Sequence, residues 1–93
     1  MHGGAIMTLK QKVAMALAYS EEFKTVNKAA AAIGYKSNDA FYARLEDLDL
    51  NDVQWSKLAE YLGVKIKFTK AYTGPGEAPK TEVFLEFPDG TYI

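Results

Sequence analysis

The sequence predicts a mostly α-helical domain that ends in a β-hairpin: an α+β fold of four helices followed by two or three short antiparallel strands. Apolar residues recur at helical spacing up to residue 63 and alternate at strand spacing from residue 64 onward. Within the helical part, four alanines, a glycine and a serine follow one another between Ala29 and Ser37. This order is the layout of a helix-turn-helix unit.

The composition is that of one small globular domain. The chain has 93 residues, of which 48% are apolar and 25% are charged. It has no cysteine, which excludes disulfides and favours a cytoplasmic location. The longest apolar run is too short to cross a bilayer, so we expect no membrane association. The formal net charge of −1 is low for a nucleic-acid module, but the local distribution of charge matters more than its sum.

The first two helices have clear start signals. Thr8 and Gln11 form a capping box for a first helix over residues 8–20. Thr25 caps a second helix that is expected to run over residues 25–33.

The next two helices follow a tight turn at residues 34–36. Ser37 caps a third helix that is expected to reach about Leu48. A second capping box at Asn51 starts a fourth helix, and Gly63 ends it.

Alternation from Val64 predicts the strands. Val64, Ile66 and Phe68 are expected on one buried face of a first strand. A second strand is expected over residues 81–87, and residues 92–93 are a candidate third strand.

These patterns divide the chain into three parts. Residues 1–6 have no pattern and are interpreted as a non-structural leader, with Met7 as the natural start. Residues 7–63 form the helix-turn-helix domain, and residues 64–93 form a hairpin arm of the same domain.

The helix-turn-helix layout directs attention to the third helix as a DNA reader. Asn38, Asp39 and Tyr42 are expected on its solvent face, with Arg44 toward one side. The amide of Asn38 suits the edge of an adenine. Phosphates would lie near the second helix and the turn, where the cations and hydroxyls are Lys24, Thr25, Lys28, Lys36 and Ser37.

Acidic residues favour a different use of the same helix. Between Asn38 and Glu60 there are six acids and two bases. Carboxylates repel phosphate, although some of them also suit the first turn of a helix. A protein-binding face is therefore an alternative to a DNA-binding one.

The hairpin is a candidate dimer surface. Lys65 and Lys67 can pair with Glu82 and Glu86 across the strands. Such pairs leave an aromatic residue, Phe84, on the outward face without an explanation. We therefore expect a homodimer through the hairpin, with Phe84, Glu82 and Glu86 at the contact.

Enzyme functions are disfavoured. The only histidine, His2, lies in the leader, so histidine-based triads and metal clusters are excluded. We expect no catalytic residues, no metal site and no cofactor.

Five segments, in this order, resemble small Cro-like and lambda-repressor-like regulators of phages and Firmicutes. The segments are 8–13, 30–34, 41–45, 58–64 and 87–91. The resemblance implies operator binding by the third helix of a dimer, with Ser37, Asn38, Tyr42 and Arg44 as contacts and Lys28 and Lys36 on phosphates.

Sequence-specific binding of double-stranded DNA for transcriptional control, in a phage or mobile element, is thus the favoured function. The alternative is a phage-encoded, anti-CRISPR-like inhibitor that uses its acidic face to bind a host protein such as a CRISPR nuclease.

Overall fold

The computed structural model describes residues 7–20, 24–71, 74–76, 78 and 80–93, so the expected leader lies outside the described residues. Four helices precede a two-stranded antiparallel hairpin, which confirms the α+β fold. The elements are α1 (Leu9–Tyr19), α2 (Val26–Ala32), α3 (Asn38–Glu46), α4 (Asp52–Leu62), β1 (Lys65–Ala71) and β2 (Lys80–Glu86).

All four helices begin at the capping residues that the sequence predicts. The side chains of Thr8, Thr25, Ser37 and Asn51 each accept a hydrogen bond from the backbone N–H three residues later. At Thr8 and Asn51 the capping box is complete, because a glutamine side chain also returns to the cap backbone. Such bonds satisfy N–H groups that have no partner within the helix.

Three helices end in the same hydrogen-bonded motif. After α2, Gly34 has a φ of 95°, its N–H donates to Ala31 O, and the next N–H, of Tyr35, donates to Ala30 O. Gly63 ends α4 in the same way. After α3 the left-handed position belongs to Leu48, whose φ is 54°.

One predicted helix end, that of the third helix, is wrong, and the backbone conformation of Leu48 explains the difference. The expected third helix reached about Leu48, whereas α3 ends at Glu46. The left-handed backbone at Leu48 lets Asp49 N–H donate back to Arg44 O at 2.8 Å, which closes the motif two residues early. A leucine carries no sequence signal for this conformation, since glycine is the usual residue there.

The core lies where the four helices and the inner face of the hairpin meet. Ala29 and Ala30 are 0% and 1% exposed, and α2 packs against both α3 and α4. A helix with alanine on its inner face can approach its neighbours closely. The larger side chains of the core come from the other elements: Val13, Leu17, Phe41, Leu45, Leu58, Leu62 and Leu85.

The hairpin pairs Lys65 with Glu86 and Ala71 with Lys80 at its two ends. Val83 and Leu85 are buried, as the alternation predicts. Phe68 departs from the prediction, because it is 46% exposed and its ring meets Trp55 edge-on at 5.0 Å. Phe68 thus contacts the half-buried Trp55 of α4 at the border of the core, whereas Val64, just before β1, is buried.

The expected third strand is reduced to one bridge, between Glu86 and Tyr92.

Of the expected cross-strand ion pairs, Lys67 pairs with Glu86 at 3.0 Å. Glu82 lies opposite Thr69 in the register, so it does not face a lysine directly.

The tight packing of α2 predicts that Ala30→Leu destabilises the fold by about 1–3 kcal/mol, because the added carbons have no space at the crossing. Ala32→Leu, at an exposed position of the same helix, is the matched control and should change stability by less than about 0.5 kcal/mol. Urea denaturation of both variants measures the difference. Equal stability of the two would contradict a tight crossing at Ala30.

Candidate nucleic-acid interface

An open groove of about 770 Å³ lies between α2 and the start of α3. It exists because the connection between the helices is only five residues long and turns sharply at Gly34. The groove is lined by Asn27, Ala30, Ala31, Gly34, Tyr35, Lys36, Ser37, Asn38 and Asp39.

The two predicted hydroxyl contacts are helix caps. Thr25 Oγ1 accepts from Lys28 N–H and Ser37 Oγ accepts from Ala40 N–H, each at 3.2 Å. A hydroxyl that accepts one bond still has a proton to donate. Both side chains can therefore hold a helix start and contact a phosphate oxygen at the same time.

Lys36 and Asn38 flank Ser37 in the wall of the groove. Lys36 is exposed and forms no ion pair with another described residue. Asn38 is half-buried in the first turn of α3. Asn27, on the exposed side of α2, brings a second amide to the groove. No sequence pattern indicates Asn27, because only the packing of α2 against α3 brings it there.

Tyr42 is less accessible than the sequence predicts. It was expected on the exposed stripe of the third helix with Asn38, but it is half-buried and packs against the core. Its ring lies 5.9 Å from the ring of Phe41, and Lys10 Nζ lies 4.1 Å from its centroid. The exposed side of α3 is instead formed by Asp39, Ala40, Ala43, Arg44 and Glu46.

Lys10 is a second residue of this region that was not predicted from the sequence. Its ammonium group brings a cation from α1 to Tyr42 on α3. No local pattern could indicate this, because the contact depends on how α1 packs against α3.

Arg44 lies at the far end of α3 from the groove, in an ion pair with Asp49. The hydrogen bond and the charge of Asp49 raise the pKa of Arg44 above its ordinary value. Both side chains are more than half exposed, so the pair contributes little to stability and can exchange with another anion.

Charge is divided along the helix-turn-helix unit. From residue 24 to residue 38 the chain carries Lys24, Lys28 and Lys36 and no acid. Lys24 is partly engaged, since its Nζ donates to Tyr61 O at 2.6 Å. The acids follow from Asp39 onward. The segment 24–38 is therefore the basic part of the unit, although the groove itself is lined by one cation, Lys36, and one acid, Asp39.

Two of the three predicted dimer residues, Phe84 and Glu86, have partners within the chain. The ring of Phe84 lies 5.9 Å from that of Tyr92, and Lys12 Nζ lies 4.7 Å from its centroid. Glu86 holds Lys67, and Glu82 is exposed. Phe84 thus has an intrachain environment, and its role in a dimer stays a prediction.

Other kinds of site find no support in the described residues. No group of three or more histidine, cysteine or acidic side chains comes together there in a way that could hold a metal ion. In the same residues, no helix has both the length and the apolar character of a membrane span.

Searches of protein families, curated proteins and solved structures find no significant match to this chain.

The dual geometry of Ser37 predicts that its two roles can be separated. Ser37→Ala should lower stability by about 0.5–2 kcal/mol because α3 loses its cap, whereas Ser37→Gly should cost only a few tenths of a kcal/mol. Thermal melts followed by circular dichroism measure both. Ser37→Gly then serves as a folded variant without the hydroxyl. Equal losses in the two variants would contradict the expectation that glycine, unlike alanine, preserves the start of α3 without the hydroxyl.

Proposed function

We propose that this protein binds double-stranded DNA through the groove between α2 and α3 and acts as a sequence-specific transcriptional regulator. The observation that carries the proposal is the combination of Lys36, Ser37 and Asn38 at the start of α3, at the end of a segment that carries three lysines and no acid. In such units, the start of the second helix enters the major groove.

The proposed contacts divide into two classes. Lys28, Lys36 and the hydroxyls of Thr25 and Ser37 bind phosphates, which fixes the position of the protein on the duplex. Asn38 reads a base edge, since an amide matches the donor and acceptor of adenine. Tyr42 and Arg44 contribute only after a local change: Tyr42 must move out of its packing, and Arg44 must leave Asp49.

Lys36→Ala tests the proposed contacts with phosphates. Because one cation is lost, binding should weaken for all sequences, and the slope of log K against log salt should become shallower by about one unit. Fluorescence anisotropy on a duplex from the gene's own upstream region provides the measurement. Lys80→Ala, an exposed lysine of the hairpin, is the control and should leave the slope unchanged.

Asn38→Ala should instead leave the salt slope unchanged and relax base preference at one position by about 1–3 kcal/mol. Selection from a randomised duplex pool with each protein identifies that position. If wild-type protein retards no DNA even at low salt, the proposal fails.

A second candidate function follows from the exposed acids of α3. Asp39, Glu46 and Asp47 are all exposed and form no ion pair with another described residue. Such a face suits a basic protein surface, for example the nucleic-acid channel of a host nuclease. In that case the protein would act as an inhibitor of host defence.

Asp39→Asn distinguishes the two functions, because they predict opposite changes in binding strength. If the protein binds DNA, removal of a carboxylate from the wall of the groove should strengthen binding. For an inhibitor, the same substitution should weaken inhibition. Asp52→Asn is the matched control, because it also removes an acid from the first turn of a helix. Parallel DNA-binding and nuclease-inhibition assays on both variants decide between the functions.

A further inference from the structure

Two side-chain hydrogen bonds link α2 to α4, one at each end of α2. Ahead of α2, Lys24 Nζ donates to the carbonyl oxygen of Tyr61, in the last turn of α4, at 2.6 Å. At the other end, Gln54 Nε2, in the first turn of α4, donates to the carbonyl oxygen of Ile33, where α2 ends, at 3.2 Å. The two helices therefore run antiparallel, and they are joined near both ends.

Both links use a carbonyl group that its own helix leaves without a partner. The last four carbonyls of an α-helix receive no N–H from a following turn. At the end of α4 the returning backbone N–H groups bind two earlier carbonyls, which leaves Tyr61 O for Lys24. At the end of α2 they also bind earlier carbonyls, which leaves Ile33 O for Gln54. Each link thus caps the C-terminal end of one helix with a donor held near the start of the other.

Gln54 is held in place by the capping box of α4. Its Oε1 accepts from the N–H of Asn51 at 3.1 Å, and Asn51 Oδ1 accepts from the N–H of Gln54 at 2.8 Å. The acceptor end of the amide therefore fixes the side chain on α4, and the donor end reaches α2. Gln11 forms the same box at the start of α1, but among the described residues its side chain hydrogen-bonds to Thr8 alone. The bond to a second helix is thus an addition to the capping box, which does not require it.

The shortness and composition of α2 make it dependent on these links. It has seven residues, too few to form a stable helix without neighbours. Side-chain ridges determine how packed helices are oriented, and the fully buried residues of α2 are two alanines, Ala29 and Ala30. Their methyl groups allow a close approach but do little to prevent the helix from sliding or turning. The polar links at its two ends supply that restraint.

We propose that Lys24 and Gln54 are positioning residues, which hold α2 in the orientation that forms the groove between α2 and α3. The wall that α2 contributes lies between the two links, and the turn into α3 begins at Gly34, directly after Ile33. Loss of a link should therefore alter the groove while the helices stay formed. The consequence for DNA binding rests on the proposed function, whereas the positioning role does not.

Gln54→Glu separates the link from the cap. A glutamate still accepts from the cap backbone, as in a standard capping box, but its ionised carboxylate has no proton to donate to Ile33 O. Amide chemical shifts of the isotope-labelled full chain, at neutral pH and without DNA, measure the effect. The amides of residues 34–37 should shift in Gln54→Glu and stay unchanged in Gln11→Glu, the matched control. Both variants keep a complete box, so thermal melts should show both to be folded.

Gln54→Met excludes a direct effect of the new charge. Methionine has a similar length but offers neither the donor nor the acceptor, so the variant should shift the same amides of residues 34–37 and also lose stability. Gln11→Met, at the other capping box, should lose stability without shifting those amides.

Lys24→Met tests the other link. Without DNA, it should shift the amides of residues 34–37, which lie beyond the opposite end of α2. With DNA, it should lower affinity by about threefold or more, as substitutions that act on a site from a distance do. The slope of log K against log salt should stay unchanged, because Lys24 donates to α4 and not to a phosphate. Lys57→Met, at an exposed lysine of α4 near Lys24, is the control and should change none of these quantities.

Two results would overturn the proposal. The first is that residues 34–37 shift in neither Gln54 variant, or shift equally in the Gln11 controls. The second is a salt slope that becomes shallower by about one unit in Lys24→Met, which would make Lys24 a phosphate contact. If the wild-type protein binds no DNA, the proposed function fails alone, and the chemical shifts of the variants still decide the positioning role.

Discussion

The close approach of α2 to its neighbours is the constraint on which the other features depend. Ala29 and Ala30 are almost completely buried, so the backbone of α2 lies near the elements that it packs against. A short turn at Gly34 can then connect α2 to α3, and the open groove forms between them. Larger side chains on α2 would separate the helices. The small side chains thus determine the shape of the candidate interface as well as the packing.

Local signals allowed most of the fold to be predicted. The caps at Thr8, Thr25, Ser37 and Asn51 depend only on residues within one turn, and all four are present. Features that depend on packing or on an unusual backbone could not be predicted in this way. The left-handed Leu48 carries no signal, because sequence patterns assign that conformation to glycine.

The candidate site was predicted only in part. Ser37 and Lys36 lie where their proximity to the turn implies, whereas Tyr42 is half-buried and Arg44 is paired with Asp49. Helical spacing gives the direction of a side chain but not what another element places against it. Charge follows the same rule: the net value of −1 conceals a segment, residues 24–38, that carries three lysines and no acid and that precedes the acidic residues of α3.

An NMR titration of labelled protein with a short double-stranded DNA, at about 50 mM salt so that phosphate contacts are strong, tests the central claim most directly. If the groove binds DNA, the largest changes in amide chemical shift will fall on Asn27, Lys36 and Asn38, and residues 46–49 will change little. No change at saturating DNA, or changes confined to the acidic residues 46–49, would contradict the claim.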